Sequence, residues 1–265
     1  MTTNPIPVDV VNAVSKVPGV VAIALGGSRA LGVATPTSDF DIAVFERHKN
    51  DIDAADLRAA IETIAEGEIK LTKDLALAEF MVQGRNVELF FRRTETIAKE
   101  IAEAKAGKFS RWLHVLHPHG FLSTTQISYA VYGRPLWDPE GHLAGLIETA
   151  TPYPEALREQ MLKTFRSEAA LTLIHAAKVK HPNEMPYLTA LYARAVSSWT
   201  LALFATNRRY PIIDKGAQRL IMSMPVHPEH YHGRTIKLFR DIAAGNLQQA
   251  RNDAAALHKE IAAYP

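Results

Sequence analysis

Hydrophobic and polar positions follow two different rhythms along this chain. The first third mixes short apolar runs with helical periodicity. Pro7 opens a helix, where its missing N–H costs nothing, and Val10 or Val11, Val14 and Val17 recur at helical spacing before Pro18-Gly19 turns the chain. "VVAIAL" (20–25) is β-branched and apolar on both faces, which predicts a buried strand, and "DFDIAVF" (39–45) alternates as a strand should. Leu57, Ile61 and Ile64 mark "DAADLRAAIETIAE" as a helix, and "DLALAEFMV" (74–82) and "NVELFFR" (86–92) predict two strands joined by a hairpin turn at "QGRN".

From about residue 94 the rhythm becomes helical. "TETIAKEIAEAKAG" predicts a helix closed by Gly107. "YGRPLWDPEGHL" reads as a loop because of Pro135, Pro139 and Gly141. After "TPYP" (151–154) the pattern predicts helices over roughly 154–180, 186–207, 214–224 and 233–263, the last broken near Gly245. The expected fold class is therefore α+β: a mixed sheet with flanking helices, then an all-α bundle. The 135–152 region is the best boundary, giving domains of 1–145 and 146–265.

Composition adds limits. The 265 residues, 47% hydrophobic and 22% charged, suit a soluble globular protein. A formal net charge of +2 makes no case for a nucleic-acid partner. With no cysteine there are neither disulfides nor thiolate metal sites. The opening "MTTNPIPVDVVNAVSKVPG" lacks the basic-then-apolar form of a signal peptide, and no apolar run approaches a membrane span; a cytoplasmic protein with no membrane partner is expected.

The chemistry concentrates in "LGGSRALGVATPTSDFDIAVF" (25–45). On a strand Asp39 and Asp41 point the same way, while Phe40, Ile42 and Val44 point into a core. Two carboxylates one pleat apart, roughly 6–7 Å at the backbone, raise each other's pKa unless a cation neutralises them. Mg²⁺ suits them, because it accepts carboxylate oxygens, keeps waters and takes substrate phosphates as further ligands. Gly26 and Gly27 let the backbone approach such a phosphate with their N–H groups; Ser28 adds a hydroxyl and Arg29 a cation. Glu88, an acid isolated among apolar neighbours in a later strand, is the third carboxylate, with Glu79 its competitor. Three carboxylates on adjacent strands suit two metals about 3.5–4 Å apart, an arrangement for in-line displacement at phosphorus.

A G-G-S turn alone is usually only a turn, and S-D-x-D alone is often a cap or a solvated edge. In this order, followed by the later acid, they resemble the polymerase-β-type nucleotidyltransferase superfamily over roughly residues 15–92. The mixed first half and helical second half resemble its small-molecule branch, such as aminoglycoside adenylyltransferases. The resemblance implies Gly27 and Ser28 on the triphosphate, Asp39 and Asp41 on both Mg²⁺ ions, and Glu88 completing the cage and serving the attacking hydroxyl. It further implies ATP or another NTP as substrate, a small-molecule acceptor and pyrophosphate as product. A protein acceptor, as in toxin–antitoxin nucleotidyltransferases, and a catalytically silent nucleotide- or partner-binding protein are the alternatives.

Other residues have an ordinary reading beside the functional one. Arg92 and Arg93 reach for phosphate or acceptor, or pair with nearby acids. In "LFATNRRYPIIDKGAQRLI", Asn207, Arg208, Arg209, Tyr210 and Lys215 make a cationic helix junction; Lys215 is the candidate nucleotide ligand there, set against a basic helix end. The histidines of "HVLHPHG" (His114, His117, His119) and "HPEHYHG" (His227, His230, His232) lack a metal-binding spacing and read as surface groups. Arg251 and His258 are spaced like the R-x(4–6)-H signature of HEPN ribonucleases, but such pairs are common by chance and a scaffold role is the plainer reading.

Overall fold

The computed structural model describes residues 6–115, 117–180 and 182–265, with the side chains of 119 and 182 excepted. The His119 side chain and residues 1–5 of the opening stretch thus lie outside the described residues. The chain forms two compact units, 1–102 with 126–152, and 103–125 with 153–265.

The first unit is built on a six-stranded mixed sheet of order β3-β4-β5-β2-β1-β8. Its strands are β1 (Ala22–Leu25), β2 (Phe40–Glu46), β3 (Glu66–Leu71), β4 (Leu77–Val82), β5 (Arg85–Arg93) and β8 (Arg134–Trp137). β2 and β5 run parallel; every other pair is antiparallel. One face carries Ile23, Phe40, Ile42, Val87, Leu89 and Phe80 into a core closed by Ile6, Val10 and Val14 of α1 (Ile6–Val14) and by Leu57 and Ile61 of α3 (Ala54–Glu62). The alternation thus does what the pattern predicts: odd residues of β2 leave this core and even residues enter it. Asp53 caps α3 by accepting hydrogen bonds from the N–H groups of Ala55 and Asp56, at 2.8 and 3.1 Å.

The "QGRN" turn joins β4 to β5 as expected. Gln83 and Gly84 both have positive φ (51° and 69°), the geometry of a two-residue turn that matches strand twist. The Glu66 carboxylate accepts from both of their N–H groups. Four strand segments depart from the expectation. Residues 134–137, read as a loop, form β8; Pro135 is tolerated because β8 is an edge strand, where no outer partner calls for its N–H. β3 begins at Glu66, the last residue of the expected helix, because α3 stops at Glu62. A two-stranded sheet, β6 (Arg111–His114) with β7 (His117–Leu122), contains the first histidine cluster. His117 lies buried there, its Nδ1 3.6 Å from Asp214 Oδ2, and is no surface group.

That small sheet belongs to the second unit, with α7 (Glu155–Lys178), α8 (Met185–Thr206), α9 (Asp214–Ile221), α10 (Tyr231–Ala243) and α11 (Leu247–Ala263). α4 (Thr94–Lys105) and α5 (Ser123–Val131) run from one unit into the other; α6 (His142–Ala150) is in the first, as is the single turn α2 (Gly27–Ala30). An α+β region with a mixed sheet followed by a helical region is thus the observed class. The helical boundaries fall within a few residues of the expected ones, including the break at Gly245 (φ 77°). Among the described residues no helix is long and apolar enough to cross a membrane.

The core of the second unit contains paired polar groups. The indole N–H of fully buried Trp199 donates to His258 Nδ1 at 3.1 Å, and the Thr200 and Tyr231 hydroxyls lie 3.1 Å apart. Arg251 donates to the Val179 carbonyl at 2.6 Å. Both members of the R-x(4–6)-H pair therefore have structural partners.

Burial, and then the Arg166 charge, push the His258 pKa below its ordinary 6.5. The unfolded chain then takes up a proton that the folded one refuses. The stability tied to neutral His258 is full above pH 6.5 and is lost as pH falls through the lower folded value. We expect the melting temperature, followed by circular dichroism, to fall between pH 7.5 and 5.5, and His258→Gln to flatten that fall while keeping an acceptor for Trp199.

Candidate active site

Strand register brings the acids together. Asp41 on β2 lies directly beside Glu88 on β5, and Glu88 lies beside Glu79 on β4. Residues paired in this way share a face. Three carboxylates therefore stand in one row across adjacent strands, on the face opposite Phe40, Val87 and Phe80. Lys70 on β3 continues the row, its Nζ 3.8 Å from Glu79 Oε1. At the other end the Gly26 N–H donates to the Asp41 carbonyl at 2.7 Å, which extends the β1–β2 ladder into the glycine turn. Asp41 and Glu88 are half-buried; Asp39 is exposed and precedes the first rung, Phe40 with Val87.

Gly27 shows why glycine is required here. Its φ is +55°, and a Cβ built on it would overlap Asp41 Oδ2 and Cγ. The absent side chain is the space in which the Asp41 carboxylate lies against the turn. Ser28 follows within α2, half-buried, and its carbonyl accepts from the Val33 N–H at 2.9 Å. The glycine turn, Asp41 and Glu88 thus meet at one end of the sheet.

Arginines found by sequence have more varied places. Arg29 donates through Nε to the Asp39 carbonyl (2.9 Å) and through Nη2 to the Ser38 carbonyl (2.5 Å), with its guanidinium 3.8 Å from the centre of the Phe40 ring. Arg92 lies 4.0 Å over the Tyr129 ring and donates to the Phe91 carbonyl, and Arg93 pairs with buried Glu46 at 3.2 Å. Both act in the packing of the sheet. In the second unit Arg208 pairs with Glu155, and Tyr210 packs on Tyr153 at 4.8 Å. Lys215 is exposed, in a non-helical stretch with Gly216 (φ 90°) at the start of α9.

Two acids of the second unit are neutralised by arginines. Glu155 pairs with Arg158 and Arg208. Glu168 is held by Arg111 at 2.9 Å and Arg194 at 2.8 Å; burial opposes its ionisation, but these arginines outweigh burial and keep its carboxyl below the usual range. Sequence reasoning left Glu79 as a bare competitor of Glu88. Counting back through the two-residue turn would have paired the two acids, since the hairpin fixes their register.

The carboxylate row supplies hard oxygen donors, the donor set that Mg²⁺ uses. Among the described residues no group of three His, Asp or Glu side chains is placed to hold a metal ion. Mg²⁺ commonly binds through one or two carboxylates, with phosphate and water completing its shell, so Asp41 and Glu88 beside the glycine turn fit such an ion.

Residues 9–105, the segment that contains the carboxylate row, match the family model described as nucleotidyltransferase domain. Among solved structures, the chain is similar to a nucleotidyltransferase-like protein from Exiguobacterium sibiricum 255-15, at 10% identity and a TM-score of 0.42, over 97% of this chain and 73% of that one. No curated protein matches the chain.

Gly27→Ala adds backbone strain of about 1–3 kcal/mol and drives a methyl group into the Asp41 carboxylate. Gly32 has φ +72° but nothing within 4 Å of its Cβ direction, so Gly32→Ala carries the strain alone. We expect both to lower the melting temperature, followed by circular dichroism, and Gly27→Ala to lower it further because of the added overlap with Asp41.

Proposed function

We propose that the chain transfers a nucleoside monophosphate, AMP in the first instance, from an NTP to a hydroxyl of a small-molecule acceptor, releasing pyrophosphate. The observation that carries this reading is the Asp41–Glu88 pair in register beside the Gly27 turn, within a nucleotidyltransferase domain. Backbone N–H groups of Gly27 and Ser28 receive the phosphates, that of Gly26 being held by the Asp41 carbonyl. Asp39, Asp41 and Glu88 would hold Mg²⁺, which supplies charge stabilisation at the attacking and leaving oxygens. The acceptor oxygen bonds to the α-phosphorus as the bond to the bridging oxygen of pyrophosphate breaks. The acceptor's proton passes to the Glu88 carboxylate. Asp41 lies against the turn that binds the phosphates, so it orients the α-phosphoryl group for in-line attack. ATP is preferred on the strength of the resemblance to adenylyltransferases.

Pyrophosphate release with each of the four NTPs, Mg²⁺ and a panel of hydroxyl acceptors tests the proposal. Asp41→Asn and Glu88→Gln should each lower the rate by roughly two to three orders of magnitude with an unchanged melting curve. Wild-type turnover in either variant defeats the assignment.

A further inference from the structure

Asp39 needs holding. It is exposed and lies outside the strand ladder, which begins at Phe40 with Val87. Its backbone follows the loop 31–39, whose own bonds are short-range: the Thr35 N–H donates to Ser38 Oγ at 2.9 Å and the Ser38 N–H to the Thr35 carbonyl at 3.1 Å. Two arginines reach this loop from different elements. Arg29, next to Ser28 in α2, forks the carbonyls of Ser38 and Asp39. Arg85, three residues before Glu88 on β5, donates through Nη2 to the Pro36 carbonyl. The phosphate turn, the D-x-D segment and the Glu88 strand are thereby tied through one loop backbone.

The placement of Arg29 argues against a direct phosphate role. Its guanidinium stacks on Phe40, whose side chain enters the core on the face away from Asp41. A planar fork stacked on an aromatic ring and spanning two carbonyls is a task that lysine performs poorly. Arg85, Asp41 and Asp39 all lie close enough to Arg29 to act on its charge.

Resting on the transferase reading, we propose that Arg29 and Arg85 are positioning residues: they clamp the carbonyls of Pro36, Ser38 and Asp39 and so set where the Asp39 and Asp41 carboxylates meet divalent ions. Neither touches the nucleotide. Removing a cation near carboxylates would, by charge alone, tighten divalent-ion binding; the clamp demands the opposite sign.

The full chain is titrated with Mn²⁺ alone, the free ion being followed by electron paramagnetic resonance, and separately with Mg²⁺-ATP by calorimetry. Arg29→Lys keeps the charge and loses the fork, and should weaken Mn²⁺ binding about tenfold. Arg85→Gln, which leaves the Phe40 stack untouched and serves if Arg29→Lys fails to fold, should weaken it as well. Unchanged or tighter Mn²⁺ binding in the folded variants overturns the clamp. Weaker Mg²⁺-ATP binding with unchanged Mn²⁺ binding also overturns it, by making Arg29 a phosphate ligand. Asp41→Asn keeps the two readings apart: if it binds Mn²⁺ like the wild type, the transferase reading itself fails; if it alone loses Mn²⁺, only the clamp does.

Discussion

The parallel pairing of β2 with β5 is the constraint on which the candidate site depends. It puts the Asp41 carboxylate beside that of Glu88, an unfavourable placement for like charges. Their backing makes it stick. Phe40, Ile42, Val87 and Leu89 fill the core from the other face of the same two strands. A slip of one residue would turn these side chains out and the acids in, so the burial of four large apolar groups enforces the register that juxtaposes the acids. Hydrophobic packing thus fixes the two acids side by side on the face turned away from the core.

The polar chemistry elsewhere is largely satisfied within the protein. Glu46 takes Arg93, Glu155 takes Arg158 and Arg208, and Glu168 takes Arg111 and Arg194. Histidine 258 accepts from Trp199, and Arg251 holds a backbone carbonyl. Pairings of this kind stabilise packing and offer little to a ligand. The carboxylate row is a different arrangement: its acids line up in register with one another across three strands, and Lys70 lies beside Glu79 at its outer end.

The legible features were those with a local cause. Period-two alternation in "DFDIAVF" places Asp41 opposite the core, the turn at Gln83-Gly84 marks a hairpin, and helical spacing locates α7, α8, α10 and α11 within a few residues. Features with a non-local cause were not legible. Pro135 disguised β8, whose edge position is what tolerates proline. "RWLH" and "HPHGFL" have too few apolar positions to announce a pair of strands, and His117 is buried only because that pair forms and brings it near Asp214.

Glycine spacing, the alternation of acids with apolar residues and the lone acid among hydrophobics determined on their own which residue types were set apart for chemistry, because these depend on backbone freedom and on which face of a strand a side chain takes. Tertiary structure alone decided that Glu79 joins the row, that Arg29 turns to the carbonyls of its own loop, and that Arg92 and Arg93 serve packing. An arginine's chain is long enough to reach many partners, and which one it takes is settled only when strands distant in sequence pair and bury the alternatives.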